Sequence, residues 1–263
     1  MPIVTKIGEH NRQEVLDHLS LDIIRHVFAF YDLQHDPEHT IMYAVFKNGS
    51  LKGYILTYTA LELPSVIVEC ATDAVDSLLR FTPESPFIMH TPTDILPEVI
   101  RFFPHAKRYA ENWMLVEKKE ARLFLSEDTR RLSGPDDASD LAALLTSRKD
   151  RLKSTVEKCL ELISKQPTYG VFEDDELRSC AGSFIQLPQV WMIGGVYTQP
   201  KHRNKGYATQ ATSAIIQEAF NESEAAALFV RSDNYPAIRV YEKLAYRKID
   251  ERVWIDVGAG RKP

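Results

Sequence analysis

The stretch Ile193-Gly194-Gly195-Val196-Tyr197-Thr198-Gln199-Pro200-Lys201-His202-Arg203-Asn204-Lys205-Gly206-Tyr207-Ala208 decides how this chain is read. An apolar, strand-like run enters a basic loop marked by a proline, and a helical pattern starts directly behind it. Backbone N–H groups in the first turn of a helix lack internal partners and sit at the positive end of the helix dipole. A loop of this kind can therefore hold an anion with main chain alone. Gly206, having no side chain, permits close approach. A basic turn that merely caps a surface helix would leave the same short pattern, so the loop needs support from elsewhere. The spacing matches neither Gly-x-x-x-x-Gly-Lys-Ser/Thr nor Gly-x-Gly-x-x-Gly, which disfavours ATP and NAD.

That support lies downstream in Asn234-Tyr235-Pro236-Ala237-Ile238-Arg239-Val240-Tyr241. Asn234 and Tyr241 are seven residues apart, two helical turns, so they share one face with Ala237 between them. A phenol on that face could donate a proton to a departing thiolate. A helical tyrosine without such context is more often core.

Arg203-Asn204-Lys205-Gly206-Tyr207-Ala208 has the form Arg-x-x-Gly-x-Ala, and in it the chain resembles the GNAT superfamily of N-acetyltransferases. Val196 to Pro200 looks like the strand and proline preceding that family's loop, and Asn234 to Tyr246 looks like its later Asn, Ala, Tyr-Glu-Lys-Leu and aromatic motif. Ala245 stands where the family usually has glycine. The spacing from Tyr169 onward is most similar to the glycine N-acyltransferase-like branch. The resemblance implies an α/β (α+β) fold with a mixed, mostly antiparallel twisted sheet flanked by helices. It also implies acetyl-CoA as cosubstrate, without a metal. Val196, Tyr197 and Thr198 would line the pantetheine arm, the first and last through backbone atoms. Arg203, Asn204, Lys205, Gly206, Tyr207 and Ala208 would hold the pyrophosphate, Asn234 would reach the pantetheine or cysteamine region, and Tyr241 would be the catalytic acid. The family's usual carboxylate base has no counterpart on Val190 to Thr198; Glu173 and Asp233 are nearby acids that read more simply as a turn residue and a helix-start residue.

The remainder of the chain is consistent with a folded protein. Its 263 residues favour two domains or one large one, and 44% hydrophobic against 26% charged residues gives enough apolar surface for a core. A net charge of -5 leaves no global basic field for nucleic acid or an anionic membrane. Cys70, Cys159 and Cys180 are scattered and lack metal spacing, and Met1 to Asn11 has no secretory pattern, so the expectation is cytoplasmic. The expected partner is a small-molecule amine acceptor, with no nucleic acid and no membrane, the protein being a monomer or homodimer. His35-Asp36-Pro37-Glu38-His39 offers two histidines four apart, but Pro37 disrupts the helix a shared metal would need.

Two domains are expected, residues 1–125 and 126–263, with the boundary near Ser126. In the second, Leu123-Phe124-Leu125 reads as a strand entering a polar connector, Ser133 as a hydroxyl cap, and Leu141, Leu144 and Leu145 as a buried stripe. Leu152 to Lys165 reads as a helix buried through Val156, Leu160 and Ile163. A hairpin turns over Asp174 to Leu177, and a closing pair of strands runs through Val257. The first half runs in much the same order, with a helix over Gln13 to Tyr31 and a hairpin at Asn48-Gly49, but it carries no phosphate loop. This suggests a tandem whose N-terminal copy is degenerate.

Overall fold

The computed structural model describes residues 3–148 and 154–258. The chain divides into two compact units: Met1–Asn112 with Arg231–Asp233 and Asp250–Pro263, and Trp113–Val230 with Asn234–Ile249. The first cut thus falls thirteen residues before Ser126, inside a strand.

The chain runs β1 (Val4–Lys6), α1 (Glu9–Ser20), α2 (Val27–His35), β2 (Thr40–Lys47), β3 (Ser50–Tyr58), β4 (Ser65–Cys70), α3 (Val75–Leu78), β5 (Phe87–Pro92), α4 (Leu96–Phe102) and β6 (Lys107–Glu117). It then repeats that order as β7 (Thr129–Arg131), α5 (Gly134–Thr146), α6 (Val156–Lys165), β8 (Thr168–Glu173), β9 (Glu176–Gln186), β10 (Trp191–Thr198), α7 (Tyr207–Ala219), β11 (Ala225–Arg231), α8 (Tyr235–Lys243) and β12 (Arg247–Val257). In the first unit β1 to β5 lie side by side in chain order, and β12 pairs antiparallel with β5 from Arg252 to Val257. In the second, β7 to β11 lie in chain order with β6 beside β11. Each unit therefore takes its sixth strand from the other repeat. β1–β2, β2–β3, β3–β4, β5–β12, β7–β8, β8–β9 and β9–β10 pair antiparallel, whereas β4 with β5 and β10 with β11 pair parallel.

The β2–β3 turn uses Asn48 and Gly49, both at positive φ (53° and 73°), as a two-residue hairpin requires. The core of the first unit is built from Val66, Val68, Leu78, Met89 and Val99 on one side and Leu19, Leu33, Met42 and Leu56 on the other.

Several expectations fail locally. The helix over Gln13 to Tyr31 is two helices; the chain turns between Ser20 and Val27, where the Asp22 carboxylate accepts from the Arg25 N–H at 3.2 Å. Leu123 to Leu125 form no strand, because Leu123 packs into the core and the Phe124 N–H donates to Ser213 Oγ at 2.9 Å rather than to a neighbouring strand. A strand forms instead at β7, in the supposed connector. Ser133 occupies the cap position of α5 without a hydroxyl cap bond. Its own N–H donates to Asp137 Oδ2 at 2.7 Å, and Arg130 binds the same carboxylate in bidentate fashion, both bonds 2.7 Å. The α5 stripe is buried at Leu141 and Leu144. Leu152 lies outside the described residues, and α6 buries Cys159 and Ile163 while Val156 and Leu160 face solvent. The hairpin turn shrinks to Asp174 and Asp175, both at positive φ. β12 is one strand, since Arg247–Val257 contains no Gly, Pro or Asn to break it.

In the first unit His90 Nδ1 lies 3.5 Å from Glu111 Oε2, and both side chains are mostly buried. Desolvation pushes Glu111 up to about 7, partly offset by Arg231, and burial pulls His90 down to about 4. A raised carboxylate begins to destabilise the fold above its unfolded value and does so fully above about pH 7. Glu111→Gln should therefore stabilise the protein by about 3 kcal/mol at pH 8, the gain vanishing near pH 4.5. Thermal unfolding of the two proteins across that range checks this. Among the described residues no helix is long and apolar enough to cross a membrane.

Candidate functional site

The site lies within the second unit and starts from a parting of strands. β10 pairs with β11 only at Trp191–Ala226 and Met192–Ala227. From Ile193 to Thr198 β10 runs on without β11, so its edge on that side is free for main-chain hydrogen bonds to another molecule. A bulge accompanies the parting. Gly194 opposes Gly182 and Tyr197 opposes Cys180, leaving one extra residue on β10, with Gly195 at a φ of 64°. The other edge stays tied to β9. Ser179 Oγ donates to the Tyr197 carbonyl at 3.0 Å and lies 2.8 Å from Thr198 Oγ1.

Val196 and Tyr197 point to opposite faces. Val196 packs against the cluster containing Tyr241, Ile215 and Trp191, with Tyr207 and Ala237 at its margin. Tyr197 packs on the α5–α6 side, its phenol 2.7 Å from Ser147 Oγ and its ring 5.2 Å from the Arg148 guanidinium carbon. The Tyr197 side chain is thus used within the protein, which leaves only its backbone for a ligand.

At the end of β10 the loop turns through Pro200–His202 and then takes two left-handed residues, Asn204 at 64° and Gly206 at 90°. Gly206 caps α7, and the first bond of the ladder runs from Gln210 N–H to the Gly206 carbonyl at 3.1 Å. The N–H groups of Tyr207, Ala208 and Thr209 precede that bond and need partners from outside the helix. A Cβ added at Gly206 would meet no atom within 4 Å, so the space beside it is open. Parted strand edge, free amides and open cradle together suit a ligand with an extended arm joined to a diphosphate. Arg203 is exposed and donates from Nε to the Thr198 carbonyl at 3.4 Å.

The loop has a hub that the sequence reading did not place there. Glu173, the last residue of β8, accepts from Lys205 Nζ at 3.0 and 3.1 Å, lies 3.1 Å from His202 Nδ1 and accepts from the Tyr207 phenol. The Tyr207 and Lys205 bonds hold its carboxyl down to about 2. A carboxylate so weakly basic is a poor proton acceptor at neutral pH. His202 is half-buried against Glu173.

Asn234 caps α8, its Oδ1 accepting from the Ala237 N–H at 3.4 Å. Its amide nitrogen carries the remaining hydrogen-bonding capacity of that side chain. Tyr241, one of the site's deepest side chains, is 7% exposed, its ring 5.8 Å from that of Tyr246. Burial pushes its phenol up to about 12, which keeps it protonated. Ala245 follows the helix at a φ of 70°, the left-handed position that suits glycine, with its N–H on the Glu242 carbonyl. Ala245→Gly should stabilise the protein by up to about 1 kcal/mol, measured as a rise in thermal midpoint.

No acidic residue occurs on β10 or β11. In the first unit Asp233 is the bidentate partner of Arg231, at 3.0 and 2.5 Å. The two histidines beside Pro37 do not converge: His39 binds Asp36 at 2.7 Å, and His35 lies against Tyr31. Among the described residues no group of three His, Cys, Asp or Glu side chains forms a metal-binding cluster.

Residues 168–255 match the FR47-like protein family. The whole chain superposes on a Drosophila protein solved in a structural genomics programme, with a TM-score of 0.74 at 14% identity, covering 98% of this chain and 99% of that one. A GCN5-related N-acetyltransferase from Kribbella flavida gives 0.62 at 14% identity over 80% and 88%. A tandem GNAT protein from the clavulanic acid biosynthesis pathway gives 0.59 at 13% identity over 99% and 100%. No curated protein sequence matches the chain significantly. The chain has the GNAT fold, and the tandem neighbour agrees with its repeated element order.

Proposed function

We propose that this chain transfers an acetyl or other acyl group from coenzyme A to a primary amine of a small molecule, both substrates being bound together. The observation that carries this reading is the parting of β10 from β11 at Met192 next to the Gly206-capped start of α7. Coenzyme A would supply an acyl group activated as a thioester, with a thiolate as leaving group. Val196 and Thr198 would bind its pantetheine arm through backbone groups of the parted edge, and Tyr197 would contribute main chain only. Arg203, Asn204, Lys205, Gly206, Tyr207 and Ala208 form the diphosphate cradle, and the open space beside Gly206 fits that group. Asn234 would orient the arm through its side-chain amide, and Tyr241 would hold a proton at its phenolic oxygen for the thiolate. The amine would reach the reaction deprotonated or lose its proton to water, since β10 and β11 carry no carboxylate and Glu173 is engaged in the loop.

The missing carboxylate also favours a second reading, a coenzyme A sensor without turnover. A free-thiol assay with acetyl-CoA across a panel of small amines separates the two. The enzyme reading expects thiol release that depends on one class of amine. Binding of acetyl-CoA with no release for any acceptor, peptides included, would support the sensor.

A further inference from the structure

Glu173 is 34 residues from Tyr207 in sequence, yet its one carboxylate collects donors from both flanks of the phosphate loop. His202 precedes Arg203, and Lys205 and Tyr207 bracket Gly206. Between these anchors lie the two left-handed residues, Asn204 and Gly206, whose conformation sets where the loop amides point. The carboxylate is itself fixed. It ends β8 at the two-residue Asp174-Asp175 turn, with the buried Arg178 guanidinium 3.8 Å away and bound on its other side to Glu176. Lys205 and His202 are thereby turned toward Glu173, and the loop amides stay available to the anion.

We propose that Glu173 is the positioning residue of the coenzyme A phosphate loop, a role that rests on the function proposed above. It holds His202, Lys205 and Tyr207 so that the amides from Asn204 to Ala208 stay in their anion-binding arrangement before the ligand arrives. Preorganisation of this kind raises affinity by reducing the ordering that binding demands.

The sign of one substitution decides the matter. If Glu173 were only a negative charge beside an anion site, Glu173→Gln would tighten coenzyme A binding by relieving repulsion and freeing the Lys205 ammonium. As a positioning residue its loss should raise the Kd for coenzyme A at least about tenfold, because the loop is no longer held. The KM for acetyl-CoA should rise in parallel, while kcat at saturating acetyl-CoA stays within about twofold. Calorimetric titration of the full chain with coenzyme A reads this directly. Lys205→Met supplies the second arm: if Lys205 acts through Glu173, the double variant binds no worse than Glu173→Gln alone, whereas additive losses would make Lys205 an independent phosphate ligand and overturn the role. If Glu173→Gln folds poorly, Glu173→Asp keeps the test open: the shortened carboxylate retains the charge but cannot reach all three donors, so binding should weaken, and unchanged binding would overturn the role. Unchanged or tighter binding by Glu173→Gln, with the wild type binding normally, would overturn this inference alone. Absence of binding by the wild type would overturn the function reading and this one with it.

Discussion

Replacing Tyr241 by Phe should lower kcat on the order of a hundredfold or more while leaving the Kd for coenzyme A nearly unchanged. The substitution removes one oxygen and keeps the ring, so the packing of Tyr241 against Tyr246 and its neighbours survives. A phenol pushed up to about 12 by burial is fully protonated at neutral pH, ready to donate, and its loss leaves the thiolate to depart unassisted. Steady-state kinetics with the best amine, set beside calorimetry on the same protein, separates the two quantities. A fall in affinity with kcat intact would assign Tyr241 to packing instead of proton transfer.

Gly206→Val should have an effect of similar size on a different quantity, about a hundredfold loss of coenzyme A affinity in a protein that still folds. Two physical terms combine. A β-branched residue at a φ of 90° carries roughly 1–3 kcal/mol of backbone strain, part of which the loop can shed only by moving its amides. The added Cβ meets nothing within 4 Å in the free protein, so the side chain grows into the space that a diphosphate needs. Gly206→Ala should fall between the wild type and Gly206→Val. Circular dichroism confirms folding, and titration with coenzyme A gives the affinity.

The strand-loop-helix unit around Gly206, the Asn234 cap and the Asn48-Gly49 turn declare themselves within a few residues, because caps, left-handed turns and helix starts depend on immediate neighbours. Ala245 belongs to the same class: the family's usual glycine marks a left-handed position, and the alanine here occupies it.

Where partners are distant in sequence, the reading fails. The family resemblance implies that the strand before the loop splays from its neighbour, as β10 does, but nothing in Trp191–Thr198 says that the parting begins after Met192, since that depends on its register with β11. The exchange of β6 and β12 between the repeats is equally silent, and a cut near Ser126 is the natural guess for a chain whose polar connector is local but whose strand partners are not. Glu173 looks like any acid before a turn until Lys205, His202 and Tyr207 close on it. Leu123 to Leu125 has strand composition, yet its backbone is bound by the Ser213 side chain. Ser133 has the residue type of a cap, but Asp137, held by Arg130, takes the bond.

The central claim is that main-chain N–H groups around Gly206 grip the diphosphate of coenzyme A, and amide chemical shifts on a backbone-assigned sample test it most directly. Titration with coenzyme A should produce its largest shifts at Asn204, Lys205, Gly206, Tyr207 and Ala208, and pantetheine, which lacks the diphosphate, should leave those five nearly unmoved. Saturable binding of coenzyme A with those amides silent, or equal shifts with pantetheine, would contradict the account.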